Sequence, residues 1–103
     1  MLSAYLVDPV AQKITIVEYR GYKDICKYIG AELFDSARFS RNNQDCVYVD
    51  DEGLKKRDQS YFMIGEYPAP LAGKGLVLGC DHMGETISPN TTIDDLDIRW
   101  VSL

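Results

Sequence analysis

The sequence predicts an α+β fold: one mainly antiparallel sheet of about six strands with a single short helix packed on one face. Three observations point there. Runs of alternating or β-branched residues recur from Ala4 to Trp100, separated by Asp/Pro, Asn/Asp and Gly/Pro turns. One segment, Tyr22 to Ile29, switches to the 3.6-residue period of a helix. The 103 residues supply one core and leave no room for a second, so 1–103 reads as a single domain.

Taken in order, Ala4–Val7 and Lys13–Tyr19 are β-rich, and Asp8-Pro9 between them offers a fixed φ and a side-chain acceptor, which predicts a hairpin. In its second strand Ile14 and Ile16 share a face opposite Lys13, Thr15 and Val17. From Tyr22 to Ile29, Tyr22, Ile25, Cys26 and Ile29 fall on one helical face, and Lys23, Asp24 and Lys27 on the other. Two turns, roughly 12 Å at 1.5 Å per residue, are too few to stand alone, so this helix must be held by a sheet. Gly21 can open it, and Gly30 is placed for a left-handed C-cap.

Ala31–Phe39 alternates Leu33, Ala37 and Phe39 against Glu32, Phe34 and Arg38, then gives way to a polar turn over Arg41–Asp45. Cys46–Asp50 follows as a strand with Val47 and Val49 inward, stopped by Asp50-Asp51-Glu52-Gly53; Leu54–Gln59, carrying Lys55, Lys56 and Arg57, is a solvated connector. Tyr61–Ile64 is another strand. Glu66–Gly75 holds two prolines and two glycines in ten residues and is expected to be the longest irregular segment. Leu76-Val77-Leu78 is apolar on both faces, as in a strand with neighbours on either side and cover above and below. Gly79–Asn90 reads as a second loop, Thr92 as the cap of one helical turn through Asp95, and Ile98–Leu103 as the last strand with Ile98 and Trp100 buried. The expected core is Leu6, Ile14, Ile16, Ile25, Ile29, Leu33, Val47, Val49, Phe62, Ile64, Leu76, Leu78, Ile98 and Trp100.

Composition narrows the function classes. A net charge of -5, from 11 Lys+Arg against 16 Asp+Glu, opposes binding to phosphate backbones, so no nucleic-acid partner is expected. The N-terminal apolar run breaks at Asp8-Pro9 and lacks a basic region, which predicts neither a signal peptide nor a membrane segment, and a cytoplasmic location. Three widely spaced cysteines, Cys26, Cys46 and Cys80, do not form a disulfide framework and are expected to be reduced.

No stretch names a reaction. Asp50, Asp51 and Glu52 adjoin one another, but neighbours on a strand point to opposite faces, so only Asp50 and Glu52 converge, and the spacing is not that of a calcium loop. Cys80 and His82 form one candidate ligand pair where structural zinc sites show two. Gly73-Lys74-Gly75 has no Ser or Thr after its lysine and precedes a strand, so P-loop geometry is absent. No nucleophile elbow or triad is present, and neither a catalytic residue, a metal nor a cofactor is assigned. The best local signal is aromatic: Tyr61 and Tyr67 with Pro68, Leu71 and Lys74, joined by Arg99, are the candidate binding residues.

Tyr28-Ile29-Gly30-Ala31-Glu32-Leu33-Phe34, Val47-Tyr48-Val49-Asp50-Asp51-Glu52-Gly53-Leu54, Gly73-Lys74-Gly75-Leu76-Val77-Leu78-Gly79 and Glu85-Thr86-Ile87-Ser88-Pro89 together resemble a small domain family of unknown function carried mainly by bacteriophages and plasmids. The resemblance covers about Tyr5 to Leu96 and carries over no catalytic residue. It implies a setting in which small acidic proteins act by binding a bacterial host protein, as inhibitors in host takeover or counter-defence. The Glu66–Gly75 loop would be the contact, on a monomer or a homodimer. One alternative is a sponge for a nucleotide signal, with Lys74 and Arg99 at the phosphates and Tyr67 stacked on a base; another is a metal-dependent hydrolase built from Asp50, Glu52, His82 and the cysteines.

Overall fold

A computed structural model describes residues 2–41, 43–53 and 59–101. The expected connector over 54–58 lies outside the described residues, as do the final two positions of the last strand. The elements run β1 (Leu2–Asp8), β2 (Lys13–Tyr19), α1 (Tyr22–Ile29), β3 (Phe34–Arg38), β4 (Cys46–Asp50), β5 (Tyr61–Ile64), β6 (Leu71–Ala72), β7 (Gly75–Cys80), β8 (Thr86–Ile87), a 3-10 turn (Ile93–Asp95) and β9 (Ile98–Val101). A six-stranded antiparallel sheet has the order β2-β1-β7-β4-β3, with β8 paired to β7. The α+β expectation therefore holds. Beyond it, β5 and β9 join β6 in a second, three-stranded sheet of order β6-β5-β9.

The local chemistry explains the elements. Asp8 Oδ1 accepts the N–H groups of Val10 (3.0 Å) and Ala11 (3.2 Å), which closes the β1–β2 turn. Gly30 takes the left-handed conformation (φ 70°) at the end of α1 and donates to the Cys26 carbonyl. Thr92 accepts from the Asp95 N–H at 3.3 Å, the predicted cap.

Packing is in three layers. Strand alternation sends Tyr5, Val7, Val47, Val49 and Val77 toward the small sheet, where Phe62, Ile64 and Leu71 meet them. It sends Ala4, Leu76 and Leu78 toward Ile25 and Ile29 of α1. Strand β7 lies at the centre, with Leu76, Val77 and Leu78 fully buried, because both of its faces are covered.

Several expectations fail for identifiable reasons. Ile16 is 58% exposed: it sits on β2, an edge strand, and the small sheet does not reach that far. Leu33 (63% exposed) lies just before β3, at the open end of the sheet, and the predicted strand over Ala31–Phe39 shrinks to Phe34–Arg38. Phe34 does not face solvent but packs edge-on against Tyr48 on the helix side, with ring centroids 5.5 Å apart. Tyr22, placed on the buried helical face, is exposed at the first turn. The Glu66–Gly75 segment is interrupted by β6, whose Leu71 and Ala72 pair with Phe62 and Tyr61. The loop expected at Gly79 begins later, since Gly79 and Cys80 continue β7 and pair with Ile87 and Thr86.

Asp45, read as part of a polar turn, is fully buried. Its Oδ1 accepts from the Asn90 N–H (2.9 Å) and Asn90 Nδ2 (2.9 Å), and its Oδ2 from the Thr91 N–H (2.8 Å). These bonds fasten the 88–92 segment to the start of β4. Gly79 beside it admits no side chain, since a Cβ there would lie 3.1 Å from Asp45 Oδ1 and 2.5 Å from the Ser88 carbonyl oxygen.

Candidate functional site

At the end of the large sheet away from Asp45, β3, the close of β4 and the segment through β6 enclose a cleft of about 260 Å3. Its lining comes from three places: Asp35, Ser36 and Ala37 of β3; Val49, Asp50 and Asp51 at the close of β4; and Tyr67, Leu71 and Ala72 from the segment before and through β6.

Each group is held by a local device. Register pairs Asp35 with Val49 and Ala37 with Val47, and alternation turns all four toward the small sheet. Asp50 Oδ1 accepts the Glu52 N–H at 3.0 Å and bends the chain out of β4, while the Asp51 N–H donates to the Leu33 carbonyl (3.2 Å). Gly65, at φ 51°, turns the chain after β5; its N–H donates to the Asp97 carbonyl, and the next N–H, of Glu66, to the Phe39 carbonyl. The Glu66 carboxylate accepts the Arg41 N–H (3.0 Å) and lies 3.5 Å from the Arg41 guanidinium. Tyr67, fixed by its N–H to the Ile64 carbonyl, then packs half-buried against the core. The result is an apolar floor of Ala37, Val49, Leu71 and Ala72 with Asp35 and Asp51 beside it, while the Asp50 side chain, paired in register with Phe34, turns to the helix side. Neither Asp35 nor Asp51 forms an ion pair among the described residues.

The six residues singled out by sequence are divided. Tyr67 and Leu71 line this cleft, and Pro68 follows Tyr67 on the exposed surface. Lys74 lies in an adjacent groove of about 250 Å3 with Val10, Ile29, Gly30, Gly73 and Asp50. Tyr61 and Arg99 sit on the outer face of the small sheet, because Phe62 and Ile64 between them occupy its inner face. Arg99 donates to the Gly65 carbonyl at 2.7 Å and lies 3.7 Å from Asp97, so its guanidinium is engaged away from Lys74. Sequence reasoning missed Asp35, Ser36 and Ala37. Their signal was a polar pair inside a strand pattern, legible only once β3 is known to be an edge.

The acidic stretch also faces a wider, polar groove of about 600 Å3 beside the end of α1, lined by Cys26, Lys27, Glu32, Leu33, Asp50 and Glu52. His82 is at the opposite end of the large sheet, in the β7–β8 turn, because β7 runs antiparallel to β4. Cys80 is at that end as well, near Cys46, whose direct partner on β7 is Leu78. Among the described residues no three His, Cys, Asp or Glu side chains are grouped to hold a metal ion. All three cysteines are free thiols. Burial raises the Cys46 thiol above its ordinary value, with a smaller upward push from Cys80. Burial likewise raises Tyr5, Tyr19 and Tyr48. No helix among the described residues is long and apolar enough to cross a membrane.

Comparison with known proteins adds a relative without a known role. The chain is 27% identical over 100 residues to an uncharacterized protein, y4iR, of Sinorhizobium fredii. The alignment takes in 94% of this chain and 61% of that protein. No family model matches the chain, and no solved structure matches it.

Proposed function

We propose that this chain is a non-enzymatic binding protein that recognises a protein partner through the cleft beside β3, with Tyr67 and Leu71 as its apolar anchors. What supports the reading is one juxtaposition: a small apolar floor bordered by Asp35 and Asp51 and flanked by β3, which ends the large sheet among the described residues. Small-molecule sites generally span about 300–1,000 Å3. A cleft of about 260 Å3 suits one or two side chains of a partner instead. A central apolar pocket with a charged rim is the anatomy of protein–protein contacts. The resemblance to a phage- and plasmid-borne family supports a bacterial host protein as the partner, met in the cytoplasm, with inhibition as the outcome of binding. A nucleotide sponge would need cations beside Tyr67, and among the described residues of the cleft the charged groups are carboxylates.

The test is capture of partners from bacterial lysate by the immobilised chain, compared with the Tyr67→Ala and Leu71→Asp variants. A partner retained by the parent chain and lost from both folded variants is expected. Equal recovery by all three, or no specific recovery, overturns the reading.

A further inference from the structure

Strand β3 ends the large sheet: it pairs with β4 on one side and with no strand on the other among the described residues. The ladder shows which of its backbone groups face outward. The Asp51 N–H bonds to the Leu33 carbonyl, which makes 33 and 51 a hydrogen-bonded pair. Such pairs alternate in an antiparallel ladder, so 35 with 49 and 37 with 47 bond inward, and the N–H and C=O groups of Phe34, Ser36 and Arg38 point away from the sheet.

The middle outward donor is already covered. The Ser36 N–H donates to Asp35 Oδ1 at 2.9 Å. A carboxylate over the central N–H of an edge is a means of keeping that edge from pairing indiscriminately. It also selects what can displace it: a strand that brings its own carbonyl to Ser36 and a cation to Asp35. The surroundings fit the same occupant. Asp35 and Asp51 border the cleft, whose lining among the described residues includes no lysine, arginine or histidine. The one cation on the strand, Arg38, lies at its far end with its guanidinium on the Asn43 carbonyl (3.2 Å).

We propose that β3 accepts an extended, basic segment of a partner protein as a further strand of the large sheet. Resting on the binding function proposed above, this assigns the partner's chemistry: alternating Lys or Arg and apolar residues. An apolar side chain of the segment enters the cleft between Val49, Tyr67 and Leu71, and its cations meet Asp35 and Asp51. Backbone hydrogen bonds supply affinity and the cleft supplies selectivity, the division of labour seen in strand addition generally.

The experiment titrates the isotope-labelled chain with a capped seven-residue peptide of alternating lysine and valine, and with its glutamate counterpart, following backbone amides by NMR. With the lysine peptide, shifts and slowed exchange should concentrate on Phe34, Ser36 and Arg38 and weaken with added salt; the glutamate peptide should leave them unmoved. Ser36→Pro removes the central donor, and with Asp35→Lys as a second, solvent-exposed change it should weaken binding on the order of tenfold or more. Shifts confined to the groove beside α1, or equal binding of both peptides, overturn strand addition. If the peptide fails on β3 while lysate capture still depends on Tyr67 and Leu71, the segment assignment falls and the binding function stands. If both fail, both fall. A concentration-dependent dimer that Ser36→Pro returns to monomer would make a second copy the occupant and overturn the basic-segment assignment.

Discussion

Asp45 is the one buried charged residue among the described residues, and it ties two segments together. Buried carboxylates survive only when their lone pairs are satisfied, and Asp45 does so wholly with neutral donors, two from the backbone and one from Asn90 Nδ2. The Tyr5 hydroxyl belongs to the same junction, donating to the Thr91 carbonyl at 2.7 Å. Replacing Asp45 by Ala would strand three donors in a buried site next to Gly79, which has no side chain of its own to offer. Asp45→Ala should therefore cost about 3 kcal/mol or more in urea unfolding. Asp45→Asn keeps the shape but can accept through one oxygen only, so its loss should be smaller. A loss below about 1 kcal/mol for the alanine variant would show that the 88–92 segment holds itself.

Among the elements, β7 and β3 set the limits of what sequence can reveal. The double-sided apolarity of Leu76-Val77-Leu78 identified a central strand correctly, because full burial on two faces leaves no polar alternation to read. The helix was legible through its period and its glycine cap, and the β1–β2 hairpin through Asp8. Edges were not. Ile16 and Leu33 look like core residues because apolar identity says nothing about whether a second layer extends above them. The second sheet was hidden for a related reason: β5 and β9 have ordinary strand patterns, and pattern does not tell which sheet a strand joins. Of the site, Tyr67 and Leu71 were legible from their loop chemistry, whereas Asp35 and Ser36 acquire meaning only from their place on an edge. Gly75 shows how tightly the two sheets meet where β7 begins. A Cβ there would lie 2.7 Å from the Phe62 ring and 2.9 Å from Val47 Cγ2, both buried. Gly75→Ala should destabilise the fold by about 1–3 kcal/mol, as overpacking does. Unchanged thermal and urea transitions would mean that the small sheet can move aside.

At the scale of the whole molecule, the three layers place ionisable hydroxyls in or against both cores and a half-buried thiol beside one of them. Tyr5 lies between the sheets; Tyr19 and Tyr48 lie with Cys46 on the helix side of the large sheet. In all four, burial is the main cause of an upward shift, since the charged form loses its water. The Asp45 carboxylate adds to it at Tyr5, and Asp24 at Tyr19. A raised value means that the folded chain holds these protons after the unfolded chain has begun to release them. Their contribution is thus fully present below the ordinary thiol and phenol range, and is lost as pH rises through it. Stability against urea should change little from these groups between about pH 6 and 8 and fall above about pH 9. General repulsion in a chain of net charge -5 also grows with pH, so the decline alone does not identify the cause. Two variants do. Tyr48→Phe and Tyr5→Phe remove a titrating proton without changing the charge of the neutral fold, and each should make the alkaline decline shallower; Tyr5→Phe should also lower stability near neutral pH, because the bond to Thr91 is lost. The Cys46 thiol supplies an independent reading: its alkylation in the folded chain should lag behind that of a free cysteine at neutral pH and accelerate only as the alkaline range is entered. An alkaline slope identical in the parent chain and both tyrosine variants would assign the decline to surface charge instead.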